Sequence, residues 1–181
     1  MAEPEINIRL ATREDVPALE ELIPQSVRAL SASYYSEREI ESALIHIFGV
    51  DTQLIADDTY YLAEIDGRVV AAGGWSKRVT LFGGDQLKHK TVDPLLDPAT
   101  GAARIRAFYV HPNWSRRGLA RRIIERCEHA AKAAGFARVE LVATLPGEPL
   151  YSALGYSRCE AVPLSTPDGE VLLAFRMEKS L

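Results

Sequence analysis

The stretch ARIRAFYVHPNWSRRGLARRIIERC, Ala103 to Cys127, decides how this chain is read. Its first eight residues, through Val110, read as a strand that stops at His111 and Pro112. From Gly118 onward Leu119, Ile123 and Cys127 recur at helical spacing, and Ala130, Ala131 and Ala134 continue that face until Gly135 ends it. Between strand and helix, SRRGLA turns tightly. Arg116, Arg117, Arg121 and Arg122 crowd the first turns, where unpaired N–H groups and the positive end of the helix dipole disfavour cations. An anion cradled by the backbone N–H groups of Arg117 to Ala120 would account for them, since Gly118 has no Cβ to keep a ligand off the backbone. The alternative is a solvated basic helix end in which Arg121 pairs with Glu125 at i,i+4. The loop is neither a Walker loop, which needs Gly-Lys-Ser or Gly-Lys-Thr, nor a GxGxxG turn.

Working outward, Val139 to Thr144 reads as the next strand, so strand, loop, helix and strand together predict a parallel pair with a right-handed crossover. A short helix is expected around Pro149 to Leu154, ended by Gly155. YSRCEAVPL and EVLLAFRMEK flank the turn-forming STPDGE and predict a final hairpin. On the other side, Ile6, Ile8 and Leu10 alternate as a strand. Thr12 is a cap for a helix beginning near Asp15, which Pro24 should kink or end. Ser36 with Glu39 forms a capping box for a second helix running toward Gly49. Asp66 and Gly67 suit the positive φ angles of a tight hairpin between two β-rich runs. Residues 81 to 102 read as a long loop with room for a short helix, and long loops in compact domains are often functional. No repeat or linker interrupts this order, so residues 1–181 are expected to form one mixed α/β (α+β) domain.

Composition narrows the function. With 181 residues, 47% of them hydrophobic, the chain has apolar surface enough for a proper core. A net charge of -4 argues against a general nucleic-acid binder, which needs a broad basic surface. No apolar run is long enough to span a bilayer, and MAEPEINIRL lacks the basic and apolar regions of a secretion signal, so a soluble, cytoplasmic protein is expected. Cys127 and Cys159 read as two buried thiols, and His46, His89, His111 and His129 are scattered; no metal site is expected.

Residues 103 to 156 resemble the acetyl-CoA-binding half of the GNAT superfamily of N-acetyltransferases. The family's loop reads Gln or Arg, two variable residues, Gly, one variable residue, then Gly or Ala. Arg116, Arg117, Gly118, Leu119 and Ala120 match it, while Ser115 replaces the initial Gln or Arg. The resemblance implies a mixed central sheet with a splayed parallel strand pair flanked by helices. It implies acetyl-CoA as cosubstrate, with no metal, held by Arg116, Arg117, Gly118, Leu119, Ala120 and Arg121 at its phosphates. Phe108, Tyr109 and Val110 would hydrogen-bond the pantetheine arm through their backbone and polarise the acetyl carbonyl, and Thr144 stands where many relatives contact that arm through asparagine. Tyr151, in PLYSALGY, corresponds to the tyrosine that commonly protonates the departing thiolate. The bland readings are a plain buried strand for AFYV and aromatic packing for Tyr151.

Glu64, Glu140 and His111 are candidate bases, and Trp75, Tyr34 and Tyr35 are candidate walls of an acceptor pocket, with core packing the competing role. The acidic total mildly favours cationic amines, although net charge does not describe a pocket. The expected partner is a small-molecule or peptide amine acceptor, with no nucleic acid and no membrane, and a homodimer is left open. The reading from a different class is a CoA or acyl-CoA sensor that binds without transferring.

Overall fold

The computed structural model describes residues 5–88 and 92–181, so His89 and the start of the N-terminal segment lie outside it. The strands are β1 (Ile6–Leu10), β2 (Tyr60–Ile65), β3 (Arg68–Ser76), β4 (Ala103–Val110), β5 (Arg138–Thr144), β6 (Ser157–Ser165) and β7 (Val171–Ser180). The helices are α1 (Val16–Ser31), α2 (Glu37–His46), α3 (Thr52–Ala56), α4 (Leu119–Ala133) and α5 (Glu148–Ala153). One mixed sheet runs in the order β1-β2-β3-β4-β5-β7-β6, with β4 and β5 parallel and the other neighbours antiparallel.

Each face of the sheet carries its own core. Leu119, Ile123, Ile124 and Cys127 of α4 pack with Trp75, Phe136, Val139 and Leu141 on one face. Leu19, Leu22, Ile23 and Val27 of α1 pack with Ile40, Leu54, Tyr60 and Leu62 on the other. Asp66 and Gly67 take φ of 50° and 73°, the tight hairpin expected between β2 and β3. The Ser36 box also forms: Glu39 N–H donates to Ser36 Oγ at 3.2 Å and Ser36 N–H to Glu39 Oε2 at 2.7 Å.

Three expectations are corrected. Helix α1 runs through Pro24 to Ser31, because burial of Leu22, Ile23 and Val27 on both sides of the proline, at about 1.5–3 kcal/mol each, outweighs the lost hydrogen bond. Cys159 is exposed on β6 at the bulge where the ladder to β7 slips between Arg158 and Glu160 and leaves it without a partner; Cys127 is buried as read. Among the described residues between 81 and 102 there is no helix, and the segment is instead tied down by Leu96 N–H to Lys77 O and Val79 N–H to Pro94 O.

At the N-terminal end, Arg9 Nη1 and Nη2 hold both oxygens of Asp15 at 2.8 and 2.7 Å, and Thr12 N–H donates to Asp15 Oδ2 at 2.7 Å. Arg9, with the Thr12 amide, lowers the Asp15 carboxyl from 3.8 to about 2. A folded value below the unfolded one makes this a stabilising contribution present above the ordinary carboxylate range and lost as pH falls toward about 2. Asp15→Asn is therefore expected to lower unfolding free energy by about 1–2 kcal/mol at neutral pH and by no more than about 0.5 kcal/mol near pH 2. Urea melts of both chains at the two pH values measure it, and a difference that persists in acid would assign the effect to packing.

Candidate active site

Strands β4 and β5 pair only at Ala103 with Val139 and Arg104 with Glu140. Beyond that point β5 stays with β7 as far as Thr144 opposite Ala174, whereas β4 stays with β3, so the sheet forks. The fork opens because β4 is bulged. Ala107 has φ 57°, the ladder to β3 slips between Ala72 and Gly74, and Ala107 and Phe108 have no partner in it. Gly73 makes the bulge possible: a Cβ there would lie 2.4 Å from the Phe108 ring. Fully buried Tyr60 donates its hydroxyl to the Ala107 carbonyl at 3.1 Å and holds the bulge from the opposite side.

A cleft of about 240 Å³ fills the fork. On the α4 face it is lined by Ala120, Leu150 and Tyr151, with Phe108 and Val110 of β4. On the α1 face it is lined by Val27, Phe48, Phe82 and Tyr109. Val142 and Thr144 of β5 form the wall opposite β4. Of the residues singled out in the sequence, Phe108, Tyr109, Val110, Ala120, Thr144 and Tyr151 thus come together around one space.

Arg116, Arg117, Gly118, Leu119 and Arg121 do not line the cleft itself but lead into it through Ala120. Arg116 and Gly118 adopt left-handed φ of 59° and 77°, a conformation that turns successive amides toward a common side. Among the described residues no protein acceptor takes the N–H groups of Arg116 to Arg121, and the first to find a carbonyl is Arg122, at Gly118 O, 3.1 Å. A Cβ on Gly118 would meet nothing within 4 Å, so the ground over these amides is open. Leu119 is buried, leaving only its backbone for a ligand. Arg117 lies 4.6 Å from the centre of the Trp114 ring, and the expected alternative pair of Arg121 with Glu125 does not form.

Tyr151 stands at the α4 side of the fork, 9% exposed, with its ring edge-to-face against Phe108 at 6.5 Å and Tyr156 at 5.6 Å. Burial pushes its hydroxyl up, so it remains protonated at neutral pH. Burial does the same to Tyr109, helped by the Asp51 charge. The N–H of Val110 is already taken by Ser26 Oγ at 3.0 Å, a contact no local sequence signal announced.

The candidate bases lie elsewhere. Glu64 binds Arg9 at 2.6 Å, Glu140 is paired with Arg104 and Arg176, and His111 Nδ1 accepts from Asn113 N–H at 3.2 Å. The candidate walls also stand outside the cleft. Trp75 packs edge-on against Phe136, Tyr34 is exposed, and Tyr35 is a tie that donates to Leu173 O at 2.6 Å and accepts from Leu145 N–H at 2.8 Å.

One constellation in the cleft escaped the sequence. Arg106 lines it, is 4% exposed, and pairs at 2.5 Å with Asp51, which is fully buried and also bound by Lys88. Arg106 further donates to the carbonyls of Thr80 at 3.1 Å and Gly83 at 2.7 Å, stapling the segment after β3 over the fork. A charged residue inside the apolar run IRAFYV was the available signal, since a buried cation requires a partner. Among the described residues no group of three His, Cys, Asp or Glu side chains is placed to hold a metal ion, and no helix is long and apolar enough to cross a membrane.

Comparison with known proteins bears on this site. The family model for the acetyltransferase (GNAT) family matches residues 24–156. No curated protein matches the chain by similarity. Among solved structures, a GCN5-related N-acetyltransferase from Rhodopseudomonas palustris is 20% identical with a TM-score of 0.69, over 100% of this chain and 98% of that one. PaiA N-acetyltransferase from Thermoplasma acidophilum, solved in complex with coenzyme A, is 16% identical with a TM-score of 0.66, over 98% and 99%. YncA from Salmonella typhimurium, solved with acetyl-CoA, is 15% identical with a TM-score of 0.61, over 97% and 94%. At such identities the likeness is one of fold.

Proposed function

The chain belongs to the GNAT acetyltransferase family, and from that premise we propose that it moves an acetyl group from acetyl-CoA to a primary amine by direct attack on the thioester, as a single domain over residues 1–181. The observation that carries this reading is the fork, with the unpaired amides at the start of α4 leading into one side of it and the α1 face opening the other.

In this reading the amides of Arg117 to Ala120 take the pyrophosphate, with Arg116, Arg117 and Arg121 offsetting its charge. The backbone of Phe108, Tyr109 and Val110 runs beside the pantetheine arm, with Thr144 on the facing strand. Val110 offers its carbonyl unless Ser26 releases its N–H. The ladder-free backbone at Ala107 and Phe108 supplies donors for the negative charge that grows on the thioester oxygen during attack. As the carbon–sulfur bond breaks, Tyr151 gives its proton to the thiolate.

The test is acetyl-CoA-dependent thiol release over a panel of amines, with product mass as the check. Acetyl-CoA binding without thiol release from any amine would favour the sensor reading instead. Tyr151→Phe is expected to lower kcat by about 10–100-fold while acetyl-CoA affinity stays within about twofold, since proton donation acts in the transition state. An unchanged kcat would remove Tyr151 from the chemistry.

A further inference from the structure

The α1 side of the fork differs from what the acidic total suggests. Its walls are Val27 and Leu30 of α1, Phe48, and Leu81 with Phe82 from the segment after β3. Beneath them, Arg106 and Lys88 share the single carboxylate of Asp51, so this trio carries one net positive charge, while Asp93, which accepts from Thr80 N–H, and Arg104 stand further along the same wall with opposite signs. The Arg106 Nε–H, moreover, has no acceptor among the described residues. The other titratable groups lining the cleft are Tyr109 and Tyr151, both neutral because burial pushes their hydroxyls up. Tyr60, whose hydroxyl is spent on Ala107, is neutral for the same reason.

An ammonium entering here would lose water to apolar walls and face a like charge, and both effects favour its uncharged form. Resting on the acetyl-transfer reading, we propose that the acceptor is an apolar monoamine that reacts as the free base, any ammonium form that binds losing its proton to solvent in the site, and that polyamines are rejected. The balance closes without a carboxylate base. The neutral nitrogen forms the bond to the acetyl carbon, the carbon–sulfur bond breaks, Tyr151 protonates the sulfur, and the proton released by the new amide restores Tyr151. The products are the amide and CoA thiol.

The experiment measures kcat and kcat/KM against pH for two arylalkylamines of well-separated solution pKa, with spermidine as the polyamine. The rising limb of kcat/KM is expected to move with the amine's own pKa, the limb of kcat to lie lower than that pKa, and spermidine to be at least tenfold poorer. Lys88→Gln, on a partly exposed loop side chain, takes the cluster from one net positive charge to none and is expected to raise the kcat limb by about half a unit. A kcat/KM limb fixed at one pH for both arylalkylamines would reveal a protein base and overturn the proposal. So would spermidine turning over as fast as the arylalkylamines, a kcat limb unmoved by Lys88→Gln, or acetyl-CoA that binds while no arylalkylamine reacts. Failure of acetyl-CoA to bind at all would instead bring down the acetyl-transfer reading on which this rests.

Discussion

Asp51→Ala is expected to destabilise the fold by about 3–5 kcal/mol, the range for removing one partner from a buried ion pair. The carboxylate is fully buried, caps α3 by accepting from Leu54 N–H at 3.4 Å, and is the counter-ion of both Arg106 and Lys88. Without it two cations face each other under an apolar wall, and Arg106 is free to abandon Thr80 and Gly83, the carbonyls through which it holds the segment over the cleft. Thermal melting should fall by about 10 °C for a chain of this length. Amide exchange near Gly83 should quicken beyond that in the rest of the sheet. A melting point within about a degree of the parent would mean that the trio relaxes to solvent and holds nothing. The double change Asp51→Leu with Arg106→Met should recover much of the loss, because apolar replacements leave no uncompensated charge.

Gly118→Val is expected to weaken acetyl-CoA binding about 100-fold, roughly 2.7 kcal/mol in affinity. Two causes act in the same direction. At φ 77° a β-branched residue is strained by about 1–3 kcal/mol, which pushes the turn toward another conformation and breaks up the shared direction of its amides. Its methyl groups would also stand in the open space over those amides, where a Cβ meets no protein atom but a phosphate would approach. Calorimetric titration measures the affinity, and a melting curve separates the two causes. An affinity within about threefold of the parent would place the nucleotide elsewhere and remove the premise of the site.

The half of the site that was legible in the sequence is the half made of local structure. Gly118 with its arginines, the strand before them and the helix after them are contiguous, and backbone geometry within a few residues decides where their amides point. The fork is less legible. Strand, helix and strand predict that β4 and β5 are parallel, but where they part depends on Gly73, which sits on another strand and yields its Cβ volume to Phe108. Asp51 and Arg106 are 55 positions apart, and neither periodicity nor turn chemistry links them. Tyr35 illustrates the same limit. An aromatic between two helices suggests a pocket wall, yet its hydroxyl joins Leu173 and Leu145, contacts set by tertiary packing alone. Cys159 meets the same limit, because alternation within β6 does not reveal the slip of its ladder against β7, which leaves this residue unpaired and exposed.

The unequal fates of the two cysteines govern how turnover is to be watched. A disulfide reagent that colours on meeting free CoA also finds one protein sulfur at the sheet's rim, while burial raises the Cys127 thiol well out of its reach. Each mole of enzyme therefore contributes one background equivalent that does not depend on acetyl-CoA. Exchanging Cys159 for serine silences that signal at a position outside the lining of the fork, and leaves a clean optical readout of thiol release.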